Sequence, residues 1–239
     1  MRRTTHLFFD LGGTLVDLRG LAPAMEREIL AEFPISGAKA RGVARAWFQG
    51  TSAATSKAQG ASFRTGIVLT GEELVNALAK VGVHTSFETA VESVRRACQA
   101  FLPQAKLYED ASLRVLRSLR SMVEALAVVT DSDEYLVRPL MSHLGIGEVF
   151  DVVVVSEMHR SYKPDPRIYQ AALRDTSARA ATSLFVSDSV TDLDGAASVG
   201  MGTVWIRRNR RVVSEPPPGT VVLNGLPELL GVLGAGGIS

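Results

Sequence analysis

Near the start of the chain an aspartate, two glycines and a threonine stand together as Asp10-Leu11-Gly12-Gly13-Thr14. An aspartate in such company acts as a nucleophile, a metal ligand or both, unless it only caps a turn. The paired glycines permit a sharp turn and bring backbone N–H groups close to an anion. Further polar groups recur downstream: Thr130 with Asp131, Lys163 within Tyr162-Lys163-Pro164-Asp165-Pro166, and Asp188-Ser189-Val190-Thr191-Asp192. Each has a plainer alternative. Asp188 and Asp192 are residue types that cap helices, Thr130 suits a capped turn, and a lysine is usually exposed.

The elements that must position these groups are short apolar runs. His6-Leu7-Phe8-Phe9 runs straight into Asp10 and reads as a buried strand of a parallel sheet. Glu124 to Thr130, Val152 to Val155, Leu184 to Ser187 and Thr203 to Ile206 read the same way, and a short strand and last helix follow from Val221. Between them lie helical patterns at Asp110 to Arg120, Tyr135 to Leu144 (closed by Gly145) and from Pro166 to Leu173. Strands separated by single helices predict right-handed crossovers and a doubly wound parallel α/β sheet. Such a sheet presents all its carboxyl ends along one edge. Asp10 with Thr14, then Thr130, Lys163, and Asp188 with Asp192 all follow strands, so they are expected to converge there.

Residues 17–105 carry no convincing alternation and are expected to form an all-helical insert, leaving 1–16 and 106–239 as the core. Helices are expected from Ala22 to Phe33, from Gly37 to Gln49, from Thr70-Gly71-Glu72-Glu73 onward, and from Phe87 to Phe101. Thr51 to Thr65 reads as a loop or frayed helix. Cys98, the lone cysteine, shares helical spacing with Val91, Val94 and Phe101 and reads as a buried small hydrophobe. Composition is 46% hydrophobic with a net charge of +1, which points to neither a nucleic-acid nor a membrane partner. Arg207, Arg208, Arg210 and Arg211 form the one dense basic cluster and read as a solvated loop, and Pro216-Pro217-Pro218 as a stiff connector. No signal peptide or apolar span of membrane-crossing length is evident, so a cytoplasmic setting is expected.

These residues resemble the motifs of the haloacid dehalogenase-like (HAD) hydrolase superfamily. Its first motif, Asp-x-Asp-Gly-Thr after an apolar strand, is matched by Asp10, Gly13 and Thr14, with Gly12 where the second Asp usually stands. Thr130 matches the second motif and Lys163-Pro164 the third. Phe185-Val186-Ser187-Asp188 through Asp192-Leu193-Asp194-Gly195-Ala196 matches the fourth. The resemblance implies a Rossmann-like core, a helical cap inserted after the first motif, and a small-molecule substrate, most often phosphorylated. It implies Asp10 as nucleophile and Mg²⁺ held by Asp10, the Gly12 carbonyl and Asp188. Asp192 would complete the metal shell or orient Lys163. Phosphate oxygens would be bound by Gly12, Gly13, Thr14, Thr130, Asp131 and Lys163, and Lys163 would keep Asp10 ionised.

In the phosphatases of this superfamily the second acid protonates the leaving group, and Gly12 cannot. Loss of a general acid/base typically removes roughly 10²–10⁴ in rate. Three functions are compatible with the pattern. The first is a Mg²⁺-dependent phosphohydrolase whose leaving group needs little protonation, or which draws the proton from the cap or Asp131. The second is a metal-independent 2-haloacid dehalogenase, suggested by the absent acid, Ser187, the Asp188–Asp192 spacing and Tyr169. An acid at 188 opposes that second reading. The third is a catalytically weak relative that binds a ligand or partner. Arg41, Arg45, Lys57 and Arg64 are candidates for an anion contact from the insert, although each residue type is more often solvated.

Overall fold

The computed structural model describes residues 3–208 and 215–235. A six-stranded, wholly parallel sheet forms its centre. In chain order the elements begin with β1 (His6–Phe9), β2 (Val16–Asp17), α1 (Leu21–Glu32), α2 (Gly37–Lys57), α3 (Gly66–Ala79) and α4 (Phe87–Phe101). They continue with β3 (Lys106–Leu107), α5 (Leu113–Arg120), β4 (Ala125–Thr130), α6 (Glu134–His143), β5 (Val152–Val155) and the short α7 (Ser156–His159). The rest are α8 (Pro166–Asp175), β6 (Ser183–Ser187), α9 (Val190–Ser198), β7 (Gly202–Ile206), β8 (Val221–Leu223) and α10 (Pro227–Gly234).

Strand order is β5-β4-β1-β6-β7-β8. From β1 the chain moves outward through β4 to β5, then returns to the other flank of β1 as β6 and continues outward to β8. The connections therefore diverge between β1 and β6, and a crevice opens outside their carboxyl ends at such a switch point. Asp10 follows β1 and Asp188 follows β6.

Period-two alternation assigns the two faces of each strand. Leu7 and Phe9 of β1, Leu126 and Val128 of β4, and Val186 of β6 pack with Leu116, Leu119, Val137, Met141 and Leu229 on one face. Phe8, Ala127, Val129 and Phe185 pack with Ile168, Tyr169, Ala172, Leu193 and Ala196 on the other. Burial on both faces explains why the strands read as continuous apolar runs.

Helices α1 to α4 pack around their own apolar cluster, which includes Met25, Ile29, Trp47, Leu74, Leu78 and Val94. Cys98 belongs to this cluster, and burial pushes its thiol up to about 11. The chain leaves and re-enters the core region through a two-strand antiparallel pair, Val16 opposite Leu107 and Asp17 opposite Lys106. Those two-residue strands are too short to carry a periodic signal.

Two local expectations are corrected. The second helix does not end at Gln49 but continues to Lys57, so the helical alternative for Thr51 to Thr65 holds over its first half. Alanine-rich sequence without Gly or Pro sustains the helix there as far as Lys57. The third helix begins at Gly66 rather than Thr70, because its cap comes from far away: Asp133 accepts from the N–H groups of Gly66 and Ile67, each at 2.7 Å. No helix among the described residues is long and apolar enough to cross a membrane.

Candidate active site

The predicted groups meet along the carboxyl edge of the sheet. Asp10 (6% exposed), Thr14 (0%), Thr130 (2%) and Lys163 (5%) are all buried there. Lys163 Nζ donates to Asp10 Oδ1 at 2.5 Å and to Asp192 Oδ2 at 2.7 Å. The other Asp10 oxygen, Oδ2, accepts from Thr14 Oγ1 at 2.8 Å, and Asp188 Oδ1 lies 3.2 Å from the same hydroxyl. The Asp188 N–H donates to Thr14 Oγ1 at 2.9 Å. One hydroxyl proton thus faces two carboxylates. Lys163 sits on the far oxygen of Asp10, leaving Asp188 with no cationic side chain in hydrogen-bond contact among the described residues.

The electrostatics follow from that arrangement. Burial pushes the Asp188 carboxyl up to about 6, and the Asp10 charge beside it adds to the rise. Burial also raises Asp10, and the neighbouring Lys163 charge works against that rise. For Lys163 burial works toward neutrality, but Asp10, Asp192 and Asp131 outweigh it and hold the ammonium well above its ordinary range.

The loop after β1 is shaped by its glycines. Gly13 has φ +91°, and a Cβ there would sit 2.9 Å from Asp188 Oδ1, so only glycine allows Asp188 to come this close. Its N–H is committed to Val16 O at 2.9 Å and is not available to an anion. The N–H groups of Gly12 and Thr14 have no protein acceptor among the described residues. Thr130 Oγ1 accepts from Ser132 N–H at 3.3 Å, as the capped-turn alternative foresaw, while remaining at the end of β4 beside the site.

Asp192 follows the second of its two expected roles, beside Lys163, and Asp131 turns its side chain the same way. Asp192 does not join Asp10 and Asp188: it is taken by Lys163 and by Ser189 Oγ at 3.2 Å, and Tyr169 donates its hydroxyl to Asp192 O at 2.8 Å. Among the described residues no three acids, histidines or cysteines gather as a metal cluster, and the Asp192 carboxylate lies against the Lys163 ammonium. Asp131 points its Oδ1 at Ser156 Oγ and the Lys163 N–H, both at 2.9 Å. Its side chain thus anchors the backbone of Lys163. Burial pushes Asp131 to about 6.

The candidate basic residues of the insert pair with acids or face solvent. Arg41 pairs with Glu26 at 3.3 Å and Arg64 with Glu72 at 2.5 Å, and Arg45 and Lys57 are exposed. The solvated-loop expectation for the basic cluster fails at Arg208, while Arg210 and Arg211 lie outside the described residues. Arg208 donates to Thr14 O at 2.8 Å and to Asp110 Oδ1 at 2.6 Å, and its guanidinium stacks 4.1 Å from the Tyr108 ring centroid. It braces the nucleophile loop from behind. Its position two residues past the end of β7, on the same sheet edge as the other groups, was the available signal. Trp205 of β7, which donates to Asp188 O at 3.1 Å, had no such signal because it reads as core.

A family model described as haloacid dehalogenase-like hydrolase matches residues 4–200. The chain belongs to that family and is a hydrolase. It is 30% identical over 223 residues to a phosphoglycolate phosphatase of Pseudomonas syringae pv. syringae, covering 90% of this chain and 75% of that one. It is 26% identical over 219 residues to (S)-2-haloacid dehalogenase H-109 of Pseudomonas putida, covering 90% and 91%. Among solved structures, the L-2-haloacid dehalogenase of Xanthobacter autotrophicus superposes with a TM-score of 0.77 at 19% identity, covering 96% of this chain and 98% of that one. The magnesium-bound HAD hydrolase YfnB of Bacillus subtilis gives 0.80 at 19% identity, covering 98% and 100%. At these identities the structural likeness establishes the fold. Phosphatases and dehalogenases both stand among the relatives, so the choice between them falls to the site.

Proposed function

We propose that this hydrolase is a Mg²⁺-dependent phosphohydrolase acting on a small phosphorylated metabolite through an aspartyl-phosphate on Asp10. One observation carries the proposal: Asp188 faces Asp10 across the single hydroxyl of Thr14, with no cationic side chain on it. Two half-compensated carboxylates, together with the carbonyl of Gly12, make a hard-oxygen donor set that fits a magnesium ion. Asp10, Gly12 O and Asp188 would hold it, and it would supply charge neutralisation for the phosphoryl oxygens.

The chain's own residues account for the rest. Asp10 attacks phosphorus and the substrate's P–O bond breaks, releasing the leaving group. Water then cleaves the acyl phosphate and restores Asp10. Lys163, fixed between Asp10 and Asp192, and the N–H groups of Gly12 and Thr14 face the oxygens on which charge gathers. Thr130 adds a hydroxyl from the end of β4. With Gly12 offering no proton, the favoured substrates are those with good leaving groups, such as acyl phosphates or activated esters. The helical unit of residues 17–105 acts as the cap over the core of 1–16 and 106–239 and sets specificity.

A second reading, 2-haloacid dehalogenation, is favoured by the commitment of Asp192 to Lys163 and Ser189 and by the missing acid, since a halide leaves without a proton. The test uses p-nitrophenyl phosphate and acetyl phosphate with Mg²⁺ or EDTA, beside 2-chloropropionate with EDTA. Phosphate release that stops on chelation supports the proposal. Chloride release in EDTA overturns it in favour of the second reading.

A further inference from the structure

Lys163 lies between α7 and α8, and its backbone is held from two sides. From the core, Asp131 Oδ1 accepts the Lys163 N–H at 2.9 Å. From the helical unit, Gln59, in the connection between α2 and α3, grips the preceding residue with both ends of its amide. Its Nε2 donates to Tyr162 O at 2.9 Å and its Oε1 accepts from Tyr162 N–H at 3.1 Å. This is the pair of bonds a neighbouring strand would make, supplied by one side chain. Tyr162 is fully buried, stacks on Phe63 of the same connection with centroids 5.0 Å apart, and donates its hydroxyl to Arg64 O at 2.8 Å. The Asp133 cap of α3 fastens the connection's far end to the segment after β4.

The geometry points to Gln59 as a positioning residue that makes the placement of Lys163 depend on the seating of the helical unit. This rests on Lys163 acting beside Asp10 as proposed above. The Lys163 side chain is buried and its stem has little room to re-aim, so the 2.5 and 2.7 Å contacts of its ammonium follow where its backbone is pinned. Buried peptide groups left without partners are costly, so the Tyr162 backbone keeps its place while Gln59 is there and shifts when it is not. Lifting the helical unit withdraws Gln59, and the lysine is then free to leave Asp10. A misplacement of about 1 Å at a reacting group can cost on the order of 10²-fold in rate.

The test compares the wild type with Gln59→Leu, Gln59→Glu and Ser62→Ala, an exposed position in the same connection. Two readouts are taken: the rate of Lys163 acetylation by acetic anhydride, with exposed Lys106 as internal reference, and kcat and KM on p-nitrophenyl phosphate with Mg²⁺. In Gln59→Leu, Lys163 is expected to react roughly tenfold faster while Lys106 is unchanged. Its kcat is expected to fall about 10–100-fold with KM within about threefold. Gln59→Glu keeps the acceptor for Tyr162 N–H and falls between, and Ser62→Ala matches the wild type. Lys163 protected equally in Gln59→Leu, or Ser62→Ala exposing it as much, overturns the inference. If Gln59→Leu does not fold, Gln59→Glu carries the same comparison. If the wild type releases no phosphate, the phosphohydrolase proposal fails while acetylation still decides the coupling.

Discussion

Replacing Asp188 by Asn should make the metal-free protein more stable at neutral pH, although it removes a proposed magnesium ligand. Burial and the adjacent Asp10 push Asp188 up to about 6 from the ordinary 3.8. A carboxylate that is harder to ionise when folded favours the native state in acid. That advantage is present below the unfolded value, is lost as pH rises from about 4 to about 6, and stays lost above. Each tenfold change in an ionisation constant is worth about 1.4 kcal/mol. Discounted for partial solvent access, carrying the charge on Asp188 costs on the order of 1–3 kcal/mol above pH 6. Asparagine retains an amide oxygen that can face Thr14 but carries no charge. For a chain of this size, each kcal/mol moves Tm by about 2–4 °C. Thermal unfolding in EDTA at pH 8 should therefore show Asp188→Asn melting roughly 3–10 °C above the wild type, with the difference gone at pH 4. Adding Mg²⁺ at ten times its Kd should stabilise the wild type by about 1.4 kcal/mol and leave the variant unmoved. A variant that is less stable in EDTA at pH 8, or that gains as much from Mg²⁺ as the wild type, would refute the picture of an under-compensated carboxylate awaiting a cation.

Other outcomes follow from the same geometry. Gly12→Asp should fold, because its Cβ meets only the tip of Leu18 Cδ1 at 2.8 Å. It should raise turnover of alkyl phosphates relative to p-nitrophenyl phosphate by about 10²–10⁴, read from kcat on the two substrates. Lys163→Met should abolish turnover and cost about 3–5 kcal/mol in urea unfolding, because it leaves Asp10 and Asp192 buried without their shared cation. Cys98 should resist dithionitrobenzoate until the chain unfolds. With its thiol at about 11, Cys98 should account for about 2–3 kcal/mol of the stability lost between pH 9 and 11, and Cys98→Ala should lose less than the wild type by that amount, the buried tyrosines titrating alike in both.

The parallel sheet was legible because both-face burial writes strands as unbroken apolar runs, and because polar groups directly after those runs must share one edge. That rule brought Asp10, Thr14, Thr130, Lys163 and Asp188 together from sequence. What escaped it depends on contacts distant in the chain. The start of α3 is set by Asp133, 67 positions from Gly66, so no local cap marked it. Asp131 turned its side chain to the Lys163 backbone, and Asp192 took the second of its two expected roles, beside the ammonium, because a buried cation needs anions around it, a demand that motif spacing does not express. Arg208 was read by its neighbours in a basic run rather than by its place after a strand, and Gln59 carries no chemistry of its own to draw attention.

Whether Asp10 and Asp188 hold a magnesium ion at a phosphoryl-transfer site is decided by a crystal grown with Mg²⁺ and beryllium trifluoride, which stands in for the phosphoryl group on an aspartate. A cation between the two carboxylates, with the fluoride adduct on Asp10, is the expected density. Density for neither, with the Asp188 side chain turned away from Asp10, would rule the magnesium-dependent mechanism out.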